Sequence, residues 1–96
     1  MLYSENTDFD PEFNYNGFTL GKFIHDDSDG FQKWDWSVYE FVQQEEYDSG
    51  IIINKYAQLK TLDISPYERD LTIIRDAFET WVDEYQQLEY GLEKSL

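Results

Sequence analysis

The sequence has no cysteine, two prolines, one histidine and only seven basic side chains in 96 residues. Without cysteine there is no disulfide framework, no thiolate metal cage and no cysteine nucleophile. One histidine, His25, with no cysteine beside it leaves a zinc site without its usual ligands, and no Ser or Asp spacing ties it to a triad. The longest aliphatic run, Ile51-Ile52-Ile53, is far too short to span a bilayer. The first residues, Met-Leu-Tyr-Ser-Glu-Asn-Thr-Asp, carry acids where a secretory leader needs basic residues. Internal repeats, low-complexity tracts and Pro/Gly/Ser linkers are missing too. These absences argue for one small cytoplasmic domain that neither enters a membrane nor binds a cofactor or metal.

What is abundant is acid. Twenty-one Asp and Glu give a formal net charge of −14. The excess is uneven: residues 1–50 hold 12 acids against Lys22 and Lys33 alone. Such a field repels phosphate, so direct nucleic-acid binding is disfavoured and a basic partner is favoured. A halophilic solubility coat is the rival explanation, but it sits poorly with eight Tyr and three Trp. Aromatics make up 19% of the chain, enough for a small domain to bury a respectable core. Trp34, Trp36 and Trp81 are assigned to that core. The expectation is a folded, compact globule, with a radius of gyration of about 12.5 Å at this length.

Local patterns suggest a small α+β domain over residues 1–96: an N-terminal β-hairpin followed by helices, the last long and amphipathic. Residues 1–12 read as irregular, with Pro11 against regular pairing. Asn16-Gly17, between Phe13-Asn14-Tyr15 and the apolar-rich run from Phe18, is a hairpin signal for residues 13–25. Residues 31–47 fit two periods. Phe31, Trp34, Val38, Phe41 and Val42 share a helical face, while Trp34, Trp36 and Val38 alternate as in a strand. Length favours helix there, with Gly50 closing it. Residues 51–62 are likewise open between helix and strand. Ser65-Pro66-Tyr67-Glu68 reads as a capping box that starts the long helix, 66–90, which Gly91 would end or fray. Along it Tyr67, Leu71, Ile74, Phe78, Trp81, Tyr85, Leu88 and Leu92 recur at alternating fours and threes. That seam must pack on the rest of the chain or on a second copy, which would make a homodimer.

No constellation points to catalysis, and the chain is not expected to be an enzyme. Asp26-Asp27-Ser28-Asp29-Gly30 has the look of a calcium loop, but with Gly30 at the sixth position His25 and Trp36 fall where carboxylates are required. With 21 acids some carboxylate pair always has a glycosidase spacing, so such a pair carries no information. The acids instead form the candidate partner-binding set. Asp26, Asp27, Asp29, Asp35, Glu40, Glu45, Glu46 and Asp48 come from the first half, with only Lys33 among them. Asp76, Glu79, Asp83 and Glu84 come from the last helix, where Asp76, Glu79 and Asp83 line one face. Tyr and Trp interleave with these acids, as in Trp34-Asp35-Trp36 and Glu45-Glu46-Tyr47-Asp48, and such residues often anchor interfaces.

In these bulk properties the whole chain resembles the phage-type acidic DNA mimics: small, Cys-free, aromatic-rich anti-restriction or anti-CRISPR inhibitors, or inhibitors of uracil-DNA glycosylase. Locally, Tyr15-Asn16-Gly17 followed by Leu20-Gly21-Lys22-Phe23 resembles the opening segment of the ArdA-type antirestriction proteins, which are considerably longer. The resemblance implies a phage protein acting in the cytoplasm of a bacterial host cell. It would block the DNA- or RNA-binding groove of a basic nucleic-acid-binding protein, a host defence or DNA-processing enzyme. Two other readings share the composition: an immunity protein or antitoxin neutralising a basic toxin nuclease, and a non-inhibitory adaptor that binds through its heptad seam.

Overall fold

A computed structural model describes residues 1–94, with side chains through Leu88. Five strands and one helix follow in order: β1 (Tyr3–Ser4), β2 (Asp10–Tyr15), β3 (Phe18–Asp26), β4 (Gln32–Glu46), β5 (Ile52–Thr61) and α1 (Leu71–Lys94). The strands form one antiparallel sheet in the order β1-β5-β4-β3-β2. The hairpin is therefore followed by two more strands and a single helix, which overturns the expectation of an N-terminal hairpin followed by several helices.

Turn chemistry fixes the meander. Asn16 (φ 50°) and Gly17 (φ 88°) both occupy the left-handed region and join β2 to β3. The next two turns share one design. Asp27 N–H donates to the Phe31 carbonyl at 2.8 Å around Gly30, and Tyr47 N–H donates to the Ile51 carbonyl at 2.9 Å around Gly50. Both glycines have positive φ, and the Tyr47–Ile51 bond with the Glu46–Ile52 pairing shows that Gly50 closes a β-hairpin and not a helix. Between these turns, residues 32–46 are strand because alternation serves both faces of the sheet. Trp34, Trp36 and Val38 face α1, whereas Asp35, Ser37 and Tyr39 face away.

The long helix begins later than its capping box suggests. Asp70 caps it: its Oδ1 accepts from Thr72 N–H at 3.0 Å, and its carbonyl accepts from Ile74 N–H at 3.2 Å. Ser65–Glu68 is a separate turn, closed by Glu68 N–H on the Ser65 carbonyl at 3.0 Å. The chain before it stays extended along β4, with Leu62 N–H on the Trp36 carbonyl and Trp34 N–H on the Pro66 carbonyl, both at 2.8 Å. Arg69 pins this segment by donating to the carbonyls of Gln32, Pro66 and Glu68. At its other end α1 continues through Gly91 to Lys94.

Helix α1 lies on one face of the sheet. Ile74, Phe78 and Val82 are fully buried against Phe18, Leu20, Trp36 and Val38. A straight helix drifts off a strict heptad, so Val82 takes a core place that the seam did not give it. Leu71 and Leu88 are left outside, 40% and 69% exposed. The centre of the seam is thus occupied by the chain's own sheet, which removes Ile74 and Phe78 from any helix-to-helix homodimer or adaptor contact. Leu92 and the acids Glu89 and Glu93 lie outside the described side chains.

The opposite face carries a smaller cluster in which Phe9 stacks on Tyr39, ring centroids 3.9 Å apart, with Tyr56 and Tyr3 alongside. The whole is a slab of 52 × 41 × 21 Å with a Cα radius of gyration of 15.4 Å, more extended than the expected globule. None of its described helices is long and apolar enough to cross a membrane.

Candidate functional site

Four of the cations are engaged at close range by the chain's own groups. Lys22 sits 4.1 Å over the Trp34 ring and 3.9 Å from Glu12. The Arg69 guanidinium lies 4.0 Å from the same ring. Lys55 donates to Ser4 Oγ at 2.8 Å, and Arg75 reaches Glu79, one helical turn away, at 3.8 Å. These contacts fix the cations in place, and the outside is acidic because 21 carboxylates outnumber seven cations.

The candidate acids divide into groups with different duties. Asp27 is structural. Its Oδ1 accepts from the Asp29 and Phe31 amides at 2.8 and 3.0 Å, and its Oδ2 accepts from the Tyr67 hydroxyl at 2.8 Å. Asp83 accepts from the Tyr15 hydroxyl at 2.8 Å and ties α1 to β2. Glu45 accepts from Gln43 and Tyr47, and Asp35 lies 2.7 Å from His25. The carboxylates of Asp26, Asp29, Glu40, Glu46, Asp48, Asp76 and Glu84 make no hydrogen bond or ion pair with a described residue. Nor do the acids form one patch. The 15 residues of β4 extend about 50 Å, so Asp26, Asp27 and Asp29 stand at one end of the sheet and Glu45, Glu46 and Asp48 at the other.

Acid and apolar surface meet beside α1. A groove of 430 Å³ runs between the helix and the chain that follows β5. Leu62, Ile64, Ala77 and Trp81 form its floor, and three acids, Asp63, Asp76 and Glu84, with one cation, Lys60, its rim. Trp81 is only partly buried there and stacks on Tyr85 at 4.9 Å. The assignment of Trp81 to the core is therefore half right: one side packs inward and the other lines the groove. Asp63 escaped the sequence reading, although Leu62-Asp63-Ile64 alternates apolar and polar as an extended rim segment should.

No family model, curated protein or solved structure matches this chain.

A second concavity, of 400 Å³, opens on the sheet face away from α1, between Tyr3, Phe23, Tyr39 and the carboxylates of Asp8 and Asp35. Its floor is a closed polar network: Gln58 Nε2 donates to Ser37 Oγ at 2.9 Å and to Thr61 Oγ1 at 3.1 Å, and the two hydroxyls are 3.2 Å apart. Burial pushes the Tyr39 hydroxyl pKa up. Among the described residues the hydrogen bonds of His25 reach Asp35 and no hydroxyl. None of these residues except Asp35 and His25 was singled out from sequence. They are ordinary strand positions until the N-terminal segment folds over them.

The Asp27–Tyr67 contact has a pH signature. The Tyr67 hydroxyl holds the Asp27 carboxyl below its ordinary range; partial burial opposes this, and the Phe31 and Asp29 amides add to it. A depressed folded pKa contributes stability above the unfolded value, which is lost as pH falls through the folded value. Asp27→Asn is therefore expected to lower the melting temperature at pH 7, and the gap to wild type should narrow between about pH 5 and pH 3. A gap that stays constant over that range would show that the carboxylate charge contributes nothing.

Proposed function

We propose that this chain is an acidic inhibitor that occupies the nucleic-acid groove of a basic host defence or DNA-processing protein. The observation that carries this reading is the separation of sign: Lys22 and Lys55 are partly buried and Arg69 is tied to backbone carbonyls, while unpaired carboxylates face outward. Carboxylates would meet the Lys and Arg that hold phosphates, and the apolar floor around Trp81 would add contact that salt does not screen. Charge alone falls short of a duplex. DNA carries about 31 charges over 52 Å, against the 14 net charges here. The groove beside α1 is thus the part of the surface best suited to complete the interface.

The test is a pull-down from nuclease-treated host lysate, eluted with stepped salt and then with duplex DNA. A retained nucleic-acid-binding protein that DNA displaces supports the reading, and a bound protein that resists both overturns it. With the partner in hand, Asp76→Lys combined with Glu84→Lys is expected to weaken binding more than about tenfold and to flatten its salt dependence. Both residues are exposed, so far-UV CD should stay native. Unchanged affinity would remove the groove from the interface.

The wide spacing of the acidic groups favours a second reading, an immunity protein that neutralises a basic toxin nuclease by gripping around its groove. Such a complex would still bind DNA, and DNA would not elute it.

A further inference from the structure

Strand β4 outruns its neighbour. β3 pairs with it from Asp26–Gln32 to Phe18–Glu40 and no further. From Phe41 to Glu46, β4 has β5 on one side and no described strand on the other. β1 reaches only Lys55 and Tyr56 of β5. Those two residues lie opposite Phe41 and Gln43, so the β4–β5 hairpin becomes a two-stranded arm beyond Gln43, a form that gains little stability by itself. Phe41 and Val42 at its base, and Tyr47, Ile51 and Ile52 on the arm, are each 46–59% exposed. Apolar surface gathered in this way marks an interaction site.

Hydrogen-bond parity shows which backbone groups the open edge offers. Tyr47 N–H donates across the hairpin to the Ile51 carbonyl. Alternation then turns Gln43 and Glu45 toward β5 and leaves the N–H and C=O of Gln44 and Glu46 pointing outward. Unpaired groups of this kind are a template for another strand. Charge selects the occupant. Glu40, Glu45, Glu46 and Asp48 surround the edge, with Lys55 the single cation of the hairpin there. A second copy would bring its own net charge of −14 and meet the register shift at Val42. Both features discourage self-pairing.

We propose that the open edge of β4, residues 41–46, takes up an extended, Lys/Arg-bearing strand of the partner protein by antiparallel strand addition. Main-chain bonds to Gln44 and Glu46 give the register. Basic side chains of the added strand meet the glutamates, and its apolar side chains cover Phe41 and Val42. The inference rests on the proposed function only for the basic sign of the partner.

The probe is an acetylated, amidated peptide that alternates Lys and Val over six residues, titrated into the full chain. Amide exchange at Gln44 and Glu46 should slow by about tenfold or more on binding, and N-methylation of alternate peptide amides should abolish the effect. Gln44→Pro removes one outward N–H while sparing the ladder to β5, and should weaken the peptide about tenfold. Equal binding by the N-methylated peptide or by a Glu-for-Lys peptide would overturn the proposal. So would protection elsewhere than the edge, or sedimentation showing that the arm pairs with a second copy. The lysate experiment fails separately. A Gln44→Pro chain that still captures the same basic protein overturns the edge alone. A chain that binds the peptide at its edge but retains no basic protein overturns the inhibitor reading alone.

Discussion

Truncation of Phe78 to Ala is expected to cost about 3–5 kcal/mol, while Leu88→Ala should change stability by no more than about 0.5 kcal/mol. The two residues belong to the same heptad seam, and only their surroundings differ. Phe78 is fully buried between Ile74, Val82 and the sheet, with its ring 6.4 Å from that of Tyr15. Leu88 is 69% exposed. Removing the Phe78 ring leaves a cavity beneath a helix that Tyr15–Asp83 and Asn16–Gln86 contacts hold in place, so the site cannot collapse freely. At about 4–8 °C per kcal/mol for a domain of this size, the melting temperature should fall by more than about 12 °C. Urea titration of both variants checks the contrast. A wild-type midpoint independent of protein concentration would show that the helix packs on its own sheet. Equal costs at the two positions, with a midpoint that rises with concentration, would restore the seam as a dimer contact.

The features that could be read in advance are those fixed by local chemistry. Asn16-Gly17 signals its turn because both residues tolerate positive φ, and both adopt it. The apolar stripe of the last helix is visible because Ile74 and Phe78 recur at the right spacing. Residues 31–47 were ambiguous for a physical reason: Trp34 and Val38 are four apart, a spacing that satisfies the helical and the strand period together. Pairing with β3 and β5, distant in sequence, decides between them. A usable signal was present in Asp27-Ser28-Asp29-Gly30 and Tyr47-Asp48-Ser49-Gly50, two stretches with a glycine in the fourth place. Each closes a hairpin, and together they bracket β4. The capping box misled because Ser65 and Pro66 serve a turn that Arg69 anchors across the chain, a contact no local pattern contains.

For the candidate site, composition gave the residue type and the fold gave the neighbours. Asp27 and Asp83 look like any other acid in sequence, yet each accepts a tyrosine hydroxyl and is spent on structure. Asp76 and Glu84 become a pair only because β5 and the chain after it bring Asp63, Leu62 and Ile64 to the flank of α1. The concave face depends even more on chain-distant contact, since Tyr3, Thr7 and Asp8 reach it from the N-terminal segment.

One close approach seats that segment on β3, and Gly21→Ala is expected to break it at a cost of about 1–3 kcal/mol. Gly21 does not occupy the left-handed region, so its backbone accepts alanine and the whole penalty is contact. A Cβ there would lie 2.3 Å from Phe9 Cδ2 and 2.6 Å from Tyr39 Cε2. The Phe9 ring cannot slide sideways, because it is stacked on Tyr39 at an interplanar angle of 6° and meets Tyr56 edge-on at 5.4 Å. It can move only outward, and its own loop moves with it: Asn6 N–H bonds the Phe9 carbonyl at 2.7 Å, and Ser4 N–H bonds Asp8 Oδ2 at 2.7 Å. Residues 3–10 should therefore lift as a unit, uncovering β5 and opening the concave face to protease. A double-mutant cycle isolates the contact. Phe9→Ala alone should cost about 3–5 kcal/mol. In that background Gly21→Ala should add less than about 1 kcal/mol, because the space above the glycine is already vacant and the Tyr39 ring can turn into it. Strict additivity would mean that Phe9 does not rest on Gly21, and that the N-terminal segment is held on the sheet by its β1 ladder and by the bonds of Ser4 and Glu5 to β5.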